Sequence, residues 1–427
     1  MKFFIYCFII ILSVSASINF GQVLDFNKSN QLRQEAIKKY NEKDFNGFLQ
    51  NAKAASDLRK NHPGLFYNVA IGYALINKQD SALLYLNRIA DMKLFFPAEH
   101  DSDFVSLWNS NEFKKIVEKF NSAKNHYGQS EFAFELPEKD LLTESVAYNP
   151  LTETFYISSV HKSKILSYNK TESVKLFCES GEATFGGAFG MKVDSKNNLL
   201  WACTGFLPQV EGYTENHKGI NEAVKYDLTT GKVLNKYKIS EGDHLFGDLV
   251  LNSNGDVYIA DSRDNNIYLI KNGSDKIEPF LISDTFASLQ GIDFSSDEKY
   301  LFAADYSMGV YKIDMNTKNI TALKISNDLT DLGIDGLYFY KNSLIGIQNG
   351  VTPQRVIKMN LGKNYDSITS WELIEANNEY FFEPTLGVLN GDDFYYIANS
   401  QWPNFQRDGT VDVEKLQNPV ILKVKLQ

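Results

Sequence analysis

Residues 289–314 read LQGIDFSSDEKYLFAADYSMGVYKID. Apolar and polar residues alternate in Gly291–Phe294, a polar turn follows at Ser295–Lys299, and alternation resumes in Tyr300–Ala304 and Val310–Asp314, which predicts three antiparallel strands in succession. The same unit recurs. First strands are expected around Val146, Met191, Leu249, Ile292, Leu337 and Val388, each followed by an apolar second strand such as Val257-Tyr-Ile-Ala-Asp261 or Phe394-Tyr-Tyr-Ile-Ala-Asn399. Third strands follow, as in Val224-Lys-Tyr-Asp227 and Val356-Ile-Lys-Met-Asn360. Self-similarity at 43 to 58 residues, with about four strands per unit, is the pattern of a β-propeller. Six units predict six blades over residues 130–427. Glu131–Leu136 also alternates, although it precedes the first unit. A closed ring leaves no long sheet edge exposed, so this segment is expected to complete the last blade beside Val420–Leu426.

Residues 30–125 carry a different period. Leu32, Ala36, Ile37 and Tyr40 mark one amphipathic helical series, and Leu65, Val69, Ala70, Tyr73 and Ala74 another. Ala36 and Ala70, like Pro63 and Pro97, are 34 residues apart. That spacing resembles tetratricopeptide repeats. The expected fold is therefore mainly β, a six-bladed propeller preceded by a small α-helical, tetratricopeptide-like domain. So short an array reads as a cap or spacer for the propeller, with docking of a protein partner as the alternative.

The first residues read as a leader over 1–21: Lys2, an apolar run from Phe3 to Leu12, then small residues, with cleavage after Ala16 or Gly21. The run is too short to span a bilayer, and Cys7 lies inside it, which argues against a lipid anchor. The expectation is an exported protein, periplasmic or secreted, with no membrane association once the leader is removed. Export permits a disulfide between Cys178 and Cys203, but two buried free thiols are the expectation. The formal charge of −10, from 43 basic and 53 acidic residues without a basic block, argues against nucleic acid and anionic membranes as partners.

In a propeller the first strand of each blade lines the central channel. The approaches to those strands, and the loops between second and third strands, open on one face. Two long insertions, Thr204–Glu222 and Gln401–Asn418, belong to that rim, where binding residues gather. Glu144, Asp248, Gln290 and Asp335 open inner strands, and Glu383 precedes the sixth. Oxygen ligands converging on a channel mouth suit a divalent cation such as Ca²⁺ or Mg²⁺, with Zn²⁺ a further candidate. Glu144, Asp248 and Asp335 are the candidate metal ligands. Gln290, Glu383, His161, Tyr213 and Trp402 are candidate contacts for a small molecule, glycan or peptide. His244 is the candidate general base. The bland alternative is that these residues bond strand ends, face channel water or pack the insertions. No G-x-S-x-G, H-E-x-x-H or C-x-x-C motif occurs.

The repeated Gly–apolar strand, short polar turn and apolar-Ala-Asp strand resemble the senescence marker protein (regucalcin) and gluconolactonase family over Leu141–Gln427. That resemblance implies a six-bladed propeller, a divalent metal at the channel mouth, and hydrolysis of lactones or related esters. Glu144 matches the family's first-blade Glu. Phe189 and Gly190 stand where polar substrate contacts are expected, Gly247 stands at the Asn position with Asp248 beside it, and Gln290 stands for the Asp. Two readings follow: a metal-dependent lactonase-like hydrolase, or a non-catalytic binding module.

Overall fold

The 289–314 stretch forms strands Leu289–Phe294, Tyr300–Asp305 and Gly309–Asp314, and Ile320–Ala322 adds a fourth. Pairing is antiparallel, with Ile292 opposite Ala303 and Tyr300 opposite Asp314. Ser295 closes the first turn: its N–H donates to Tyr300 O (2.9 Å), and its Oγ accepts from Tyr300 N (3.1 Å). The structure is a computed structural model, and it describes residues 21–179 and 186–427. The expected leader therefore lies outside the described residues, except Gly21.

The unit is built six times. Inner strands Val146–Asn149, Gly187–Asp194, Phe246–Leu251, Leu289–Phe294, Ile334–Tyr340 and Gly387–Asn390 each start a sheet of up-and-down neighbours. We call these sheets blades 1 to 6. The fourth strand of blade 6 is Glu131–Glu135, paired with Val420–Lys425 so that Glu131 faces Lys423 and Glu135 faces Val420. The ring closes by joining the beginning of the propeller to its end. The apolar core is six wedges between neighbouring blades. Leu301 and Ala303 meet Tyr258 and Ala260 between blades 4 and 3, for example, while Phe134 and Ile421 meet Phe155 and Ile157 between blades 6 and 1.

A polar residue stands at the end of the second strand, or within two residues of it, in every blade: Ser159, Thr204, Asp261, Asp305, Gln348 and Asn399, none more than 1% exposed. All six bond backbone groups, and in blades 1, 3, 4 and 5 those groups belong to the rim loops. Asp305 is the fullest case. Its Oδ2 accepts from Ala287 N (2.5 Å) and Ser288 N (3.0 Å), and its Oδ1 from Ser307 N and Met308 N (both 2.9 Å). Gln348 donates to Thr330 O and Leu332 O, and Ser159 Oγ to Leu141 O. In blades 1, 3, 4 and 5 the recurring side chain thus ties the approach to an inner strand to the end of the second, while Asn399 of blade 6 holds Asn418 O and Val420 N at the start of the third.

Five helices precede the propeller: α1 (Gly21–Asn41), α2 (Phe45–Leu58), α3 (Pro63–Leu75), α4 (Gln79–Asp91) and α5 (Asn111–Ser122). Asp44 caps α2 through Gly47 N (3.0 Å), and Ser110 caps α5 through Phe113 N (3.2 Å). Helix α1 begins ahead of Asn30, where the apolar period first becomes visible. The helices lie on the rim of blades 4 and 5. Arg59 Nη2 donates to Ser307 O (2.6 Å), Asn61 Nδ2 to Ser326 O (2.7 Å) and Leu329 O (2.9 Å), and Phe95 N to Thr352 O (2.8 Å). Fully buried Arg355 is the central tie, with Nη1 on Met92 O (2.7 Å) and Nε on Gln348 Oε1 (2.6 Å). Leaving α5, the chain adds Tyr127–Gly128 as a fifth strand on blade 5 before it reaches blade 6, a pairing too short to show as alternation. Neither Cys178 nor Cys203 is in a disulfide; Cys203 is buried as expected, whereas Cys178, on the outer strand of blade 1, is only partly so. No described helix is long and apolar enough to cross a membrane.

Candidate functional site at the channel mouth

Six inner strands converging on one axis leave little room at their start. A Cβ on Gly291 would lie 2.5 Å from Leu337 N, and one on Gly190 2.6 Å from Gly247 O. Glycine is therefore required where neighbouring strands touch. Register shifts at Ala188/Met191, Phe246/Asp248, Leu289/Ile292 and Ile334/Leu337 mark the same level in blades 2 to 5. The residue before that level is Glu144, Gln290 or Asp335 in blades 1, 4 and 5. These three share a cavity of about 380 Å³ at the mouth with Ser288, Tyr306, Asn349, Glu383 and Trp402.

The mouth residues are braced from behind. Trp402 Nε1 donates to Glu144 Oε2 (2.7 Å), and Asn349 Nδ2 donates to Asp335 Oδ2 (2.8 Å) and Pro384 O (3.0 Å). Tyr306 OH donates to Asn349 Oδ1 (3.0 Å). Glu383 and Gln401, on neighbouring rim segments joined by Ser400 N to Glu383 O (3.1 Å) and Gln401 N to Phe382 O (3.2 Å), hold left-handed backbone (φ 68° and 69°) without being glycine. Such strain costs about 1–3 kcal/mol each and clusters at functional sites. Glu383 N is anchored on Gln354 Oε1 (3.0 Å), and Gln401 bridges Gln417 through both ends of its amide.

Three carboxylates thus face one cavity whose lining contains no basic side chain. Burial, then the charge of Asp335, lifts the Glu144 carboxyl well above the usual carboxylate range, against the opposing hydrogen bond from Trp402. Burial also pushes Asp335 up to about 7, with Glu383 and Asp248 adding repulsion and Asn349 opposing. Glu383 is raised by burial. Desolvation and mutual repulsion thus both disfavour the anionic forms of these carboxyls.

Asp248 lies one residue further along its strand, at the level that glycine occupies in blades 4 and 5. It is 2% exposed, and its Oδ1 is buried without a hydrogen-bond partner. Lys192 Nζ is 3.9 Å from that oxygen and 5.1 Å from the Tyr338 ring centre. Asp293, pushed up to about 6 by burial, accepts from Phe339 N (2.7 Å). The channel therefore has an acidic mouth and, one level in, a mixed tier holding Lys192.

Five of the nine residues singled out in the sequence, Glu144, Asp335, Gln290, Glu383 and Trp402, meet in the mouth cavity; Asp248 sits beneath it. The other three lie elsewhere. Both ring nitrogens of His244 are engaged, Nδ1 with Asp261 Oδ2 (2.7 Å) and Nε2 with Glu241 O (2.6 Å). Two acceptors require two donors, so the ring is an imidazolium without a lone pair for a substrate proton. Burial works against that charge, but the bonds to Asp261 and Glu241 outweigh it and raise the pKa. His161 Nδ1 contacts Gln209 O (2.6 Å), and its ring packs on Phe405 (5.1 Å). Tyr213 stands edge-on to His217. The two insertions pack together, with Val210 and Phe405 in one buried cluster. His161 therefore sits at the seam of the insertions, and Tyr213 on the outer one. Three mouth residues are absent from the set read in the sequence: Ser288, two residues before Gln290, and the pair Tyr306 and Asn349. Tyr306 and Asn349 each directly follow the polar residue that ends a second strand, and that shared position is the signal that could have found those two.

Among the described residues, one acidic trio brings its ligand atoms within 4.8 Å of one another: His244, Asp261 and Asp264. Asp261 Oδ1 already accepts from Leu245 N, Arg263 N and Asp264 N, so this group braces a loop. The mouth carboxylates stand further apart than that.

No protein-family model matches the chain, and no curated protein matches it in sequence. Among solved structures, it is similar to a luciferin-regenerating enzyme (TM-score 0.48, 12% identity, 70% of this chain and 95% of the other). It is also similar to a virginiamycin B lyase from Staphylococcus aureus solved with quinupristin (0.47, 15%, 69% and 84%). A gluconolactonase from Xanthomonas campestris gives 0.46, 12%, 67% and 86%. Identities this low speak to the fold alone, which the strand pairing already establishes.

Proposed function

We propose that the channel mouth binds a divalent cation together with a small, oxygen-rich ligand, and that this is the working site of an exported protein. The observation that carries the reading is the half-buried set Glu144, Asp335 and Glu383 lining one cavity without a basic group. The donors are carboxylate oxygens, with the amide oxygens of Gln290 and Asn349 beside them, a set suited to a hard cation such as Ca²⁺ or Mg²⁺. Glu144, Asp335 and Glu383 would hold the ion, and Asp248, with its unpartnered oxygen, adds negative potential from below. A bound cation would polarise a carbonyl and acidify water, the chemistry of lactone hydrolysis. The chain's own residues orient and enclose: Trp402 fixes Glu144, Asn349 fixes Asp335, and Tyr306 fixes Asn349.

A second reading, non-catalytic binding, draws on two observations. The mouth carboxylates do not converge on a single point, and His244 has no free nitrogen. Metal analysis of the purified protein, thermal melting with Ca²⁺ or chelator, and a δ-gluconolactone hydrolysis assay separate the two. The hydrolase reading expects bound metal, a melting temperature raised by several degrees in Ca²⁺, and turnover abolished by chelator. Glu144→Gln is expected to lose metal and the Ca²⁺ response while melting no lower than wild type without metal. Metal without turnover leaves cation-dependent binding; no metal and an unchanged melt remove the cation altogether. Export is tested by fractionating cells that express the full chain.

A further inference from the structure

Asn349 borders two cavities. Besides the mouth, it lines a second space of about 500 Å³ that runs outward between the rim loops of blades 5 and 6. Gln354, Asn377, Asn378, Phe381 and Phe382 form much of its wall, and none of its lining residues is charged, in a chain 22% charged overall. An acidic chamber thus adjoins a neutral one, and that contrast bears on the shape of the ligand.

The neutral chamber is prebuilt. The helical unit holds its outer wall: Phe95 N donates to Thr352 O (2.8 Å), Asn377 Nδ2 to Lys124 O, and Val351 packs against the helical core. Gln354 commits its oxygen to Glu383 N, so its NH₂ group remains for the cavity. Phe382 is 40% exposed. Beyond it, Tyr380 and Phe132 are exposed, with rings 6.1 Å apart, and continue an aromatic strip across the rim. Amide side chains carry a donor and an acceptor together, matching hydroxyl groups, which also do both. Aromatic faces suit the apolar C–H face of a sugar ring, and such mixed linings fix orientation in small-molecule sites. A peptide added as a strand is disfavoured here, because the outer edge of blade 5 is already paired with Tyr127–Gly128.

We propose that this chamber is a second subsite for a neutral, hydroxyl-rich unit. The ligand is then an oligosaccharide chain, with one residue at the acidic mouth and the next beside Phe382. This rests on the mouth being the binding site.

The test is an array of neutral and acidic saccharides one to four units long, with blocked neutral peptides as comparators, followed by calorimetric titration of a retained trisaccharide and its monosaccharide. Retention is expected to favour neutral chains and to rise with length. Phe382→Ala is expected to weaken the trisaccharide by about tenfold or more and the monosaccharide by less than about twofold. Because Phe382 is exposed, the variant's melt should match wild type, and Asn377→Gly provides an independent variant. Retention of no saccharide, equal retention of mono- and trisaccharide, preference for peptides, or equal effects of Phe382→Ala on both saccharides would each overturn the subsite. Length dependence in a protein that takes up no cation would overturn the cation reading and leave the subsite standing. Cation uptake without length dependence would do the reverse.

Discussion

Asp335 shows how far one side chain can be pulled from its ordinary chemistry. Its carboxyl is pushed up to about 7 because burial disfavours the charge and because Glu383 and Asp248 lie near. In the unfolded chain the same group titrates near 4. Between those values the folded protein keeps a proton that the unfolded chain releases. Stability from this group is therefore fully present below about pH 4 and falls as pH rises towards 7. Asp335→Asn has no such slope. Wild type should melt progressively lower than the variant between pH 5 and 7.5, the gap growing by roughly 2–5 °C. Saturating Ca²⁺ at pH 7.5 should narrow or reverse that gap, since the cation favours the ionised form. A gap that does not change with pH would show that Asp335 is not held protonated.

Among the elements, the second strand carries the most structural information, because its last residue decides how the rim loops lie. Asp305 accepts four backbone N–H groups, two from the approach to its own inner strand and two from the turn that follows. Asparagine at 305 would present an NH₂ to one of those pairs and strand both donors. Asp305→Asn is expected to lower stability by about 3 kcal/mol, measured by urea unfolding. Asp305→Ala should be at least as severe. Serine at 159 does the equivalent task in blade 1 with one hydroxyl, so Ser159→Ala should cost less, about 1 kcal/mol. Equal losses at the two positions would mean that the recurring side chain fills space rather than satisfying loops. The same element reaches the mouth cavity one residue later, at Tyr306 and Asn349.

For the molecule as a whole, the helical unit is a part of the rim. Arg355 is fully buried between Met92 O and Gln348 Oε1, with the Trp371 ring 5.1 Å from its guanidinium. Burial lowers its pKa to about 9. Removing this side chain leaves buried acceptors unpaired on both units, at a cost of about 3–5 kcal/mol. Arg355→Ala should therefore loosen the helices from blades 4 and 5, seen as faster proteolysis within 92–97 and earlier hydrogen exchange in α4. Exchange in the inner strands of blades 1 to 3 should be unaffected. A uniform rise in exchange would instead show that the two units unfold as one.

The repeat alone determined that there are six blades, roughly where their first three strands lie, and that Glu131–Glu135 closes the ring, because alternation and period are local properties of the chain. It also brought Glu144, Gln290 and Asp335 together, since residues at one position of a repeat stand at one height in a propeller. Other matters were settled only by packing across distant parts of the chain. Whether His244 is free depends on Asp261 and Glu241 O; where His161 and Tyr213 lie depends on how two insertions meet; that the helices wall a chamber beside the mouth depends on Arg355, Phe95 and Lys124 finding partners more than 200 residues away. A side chain's residue type is written locally, but the partners that hold or release it are supplied by the rest of the fold.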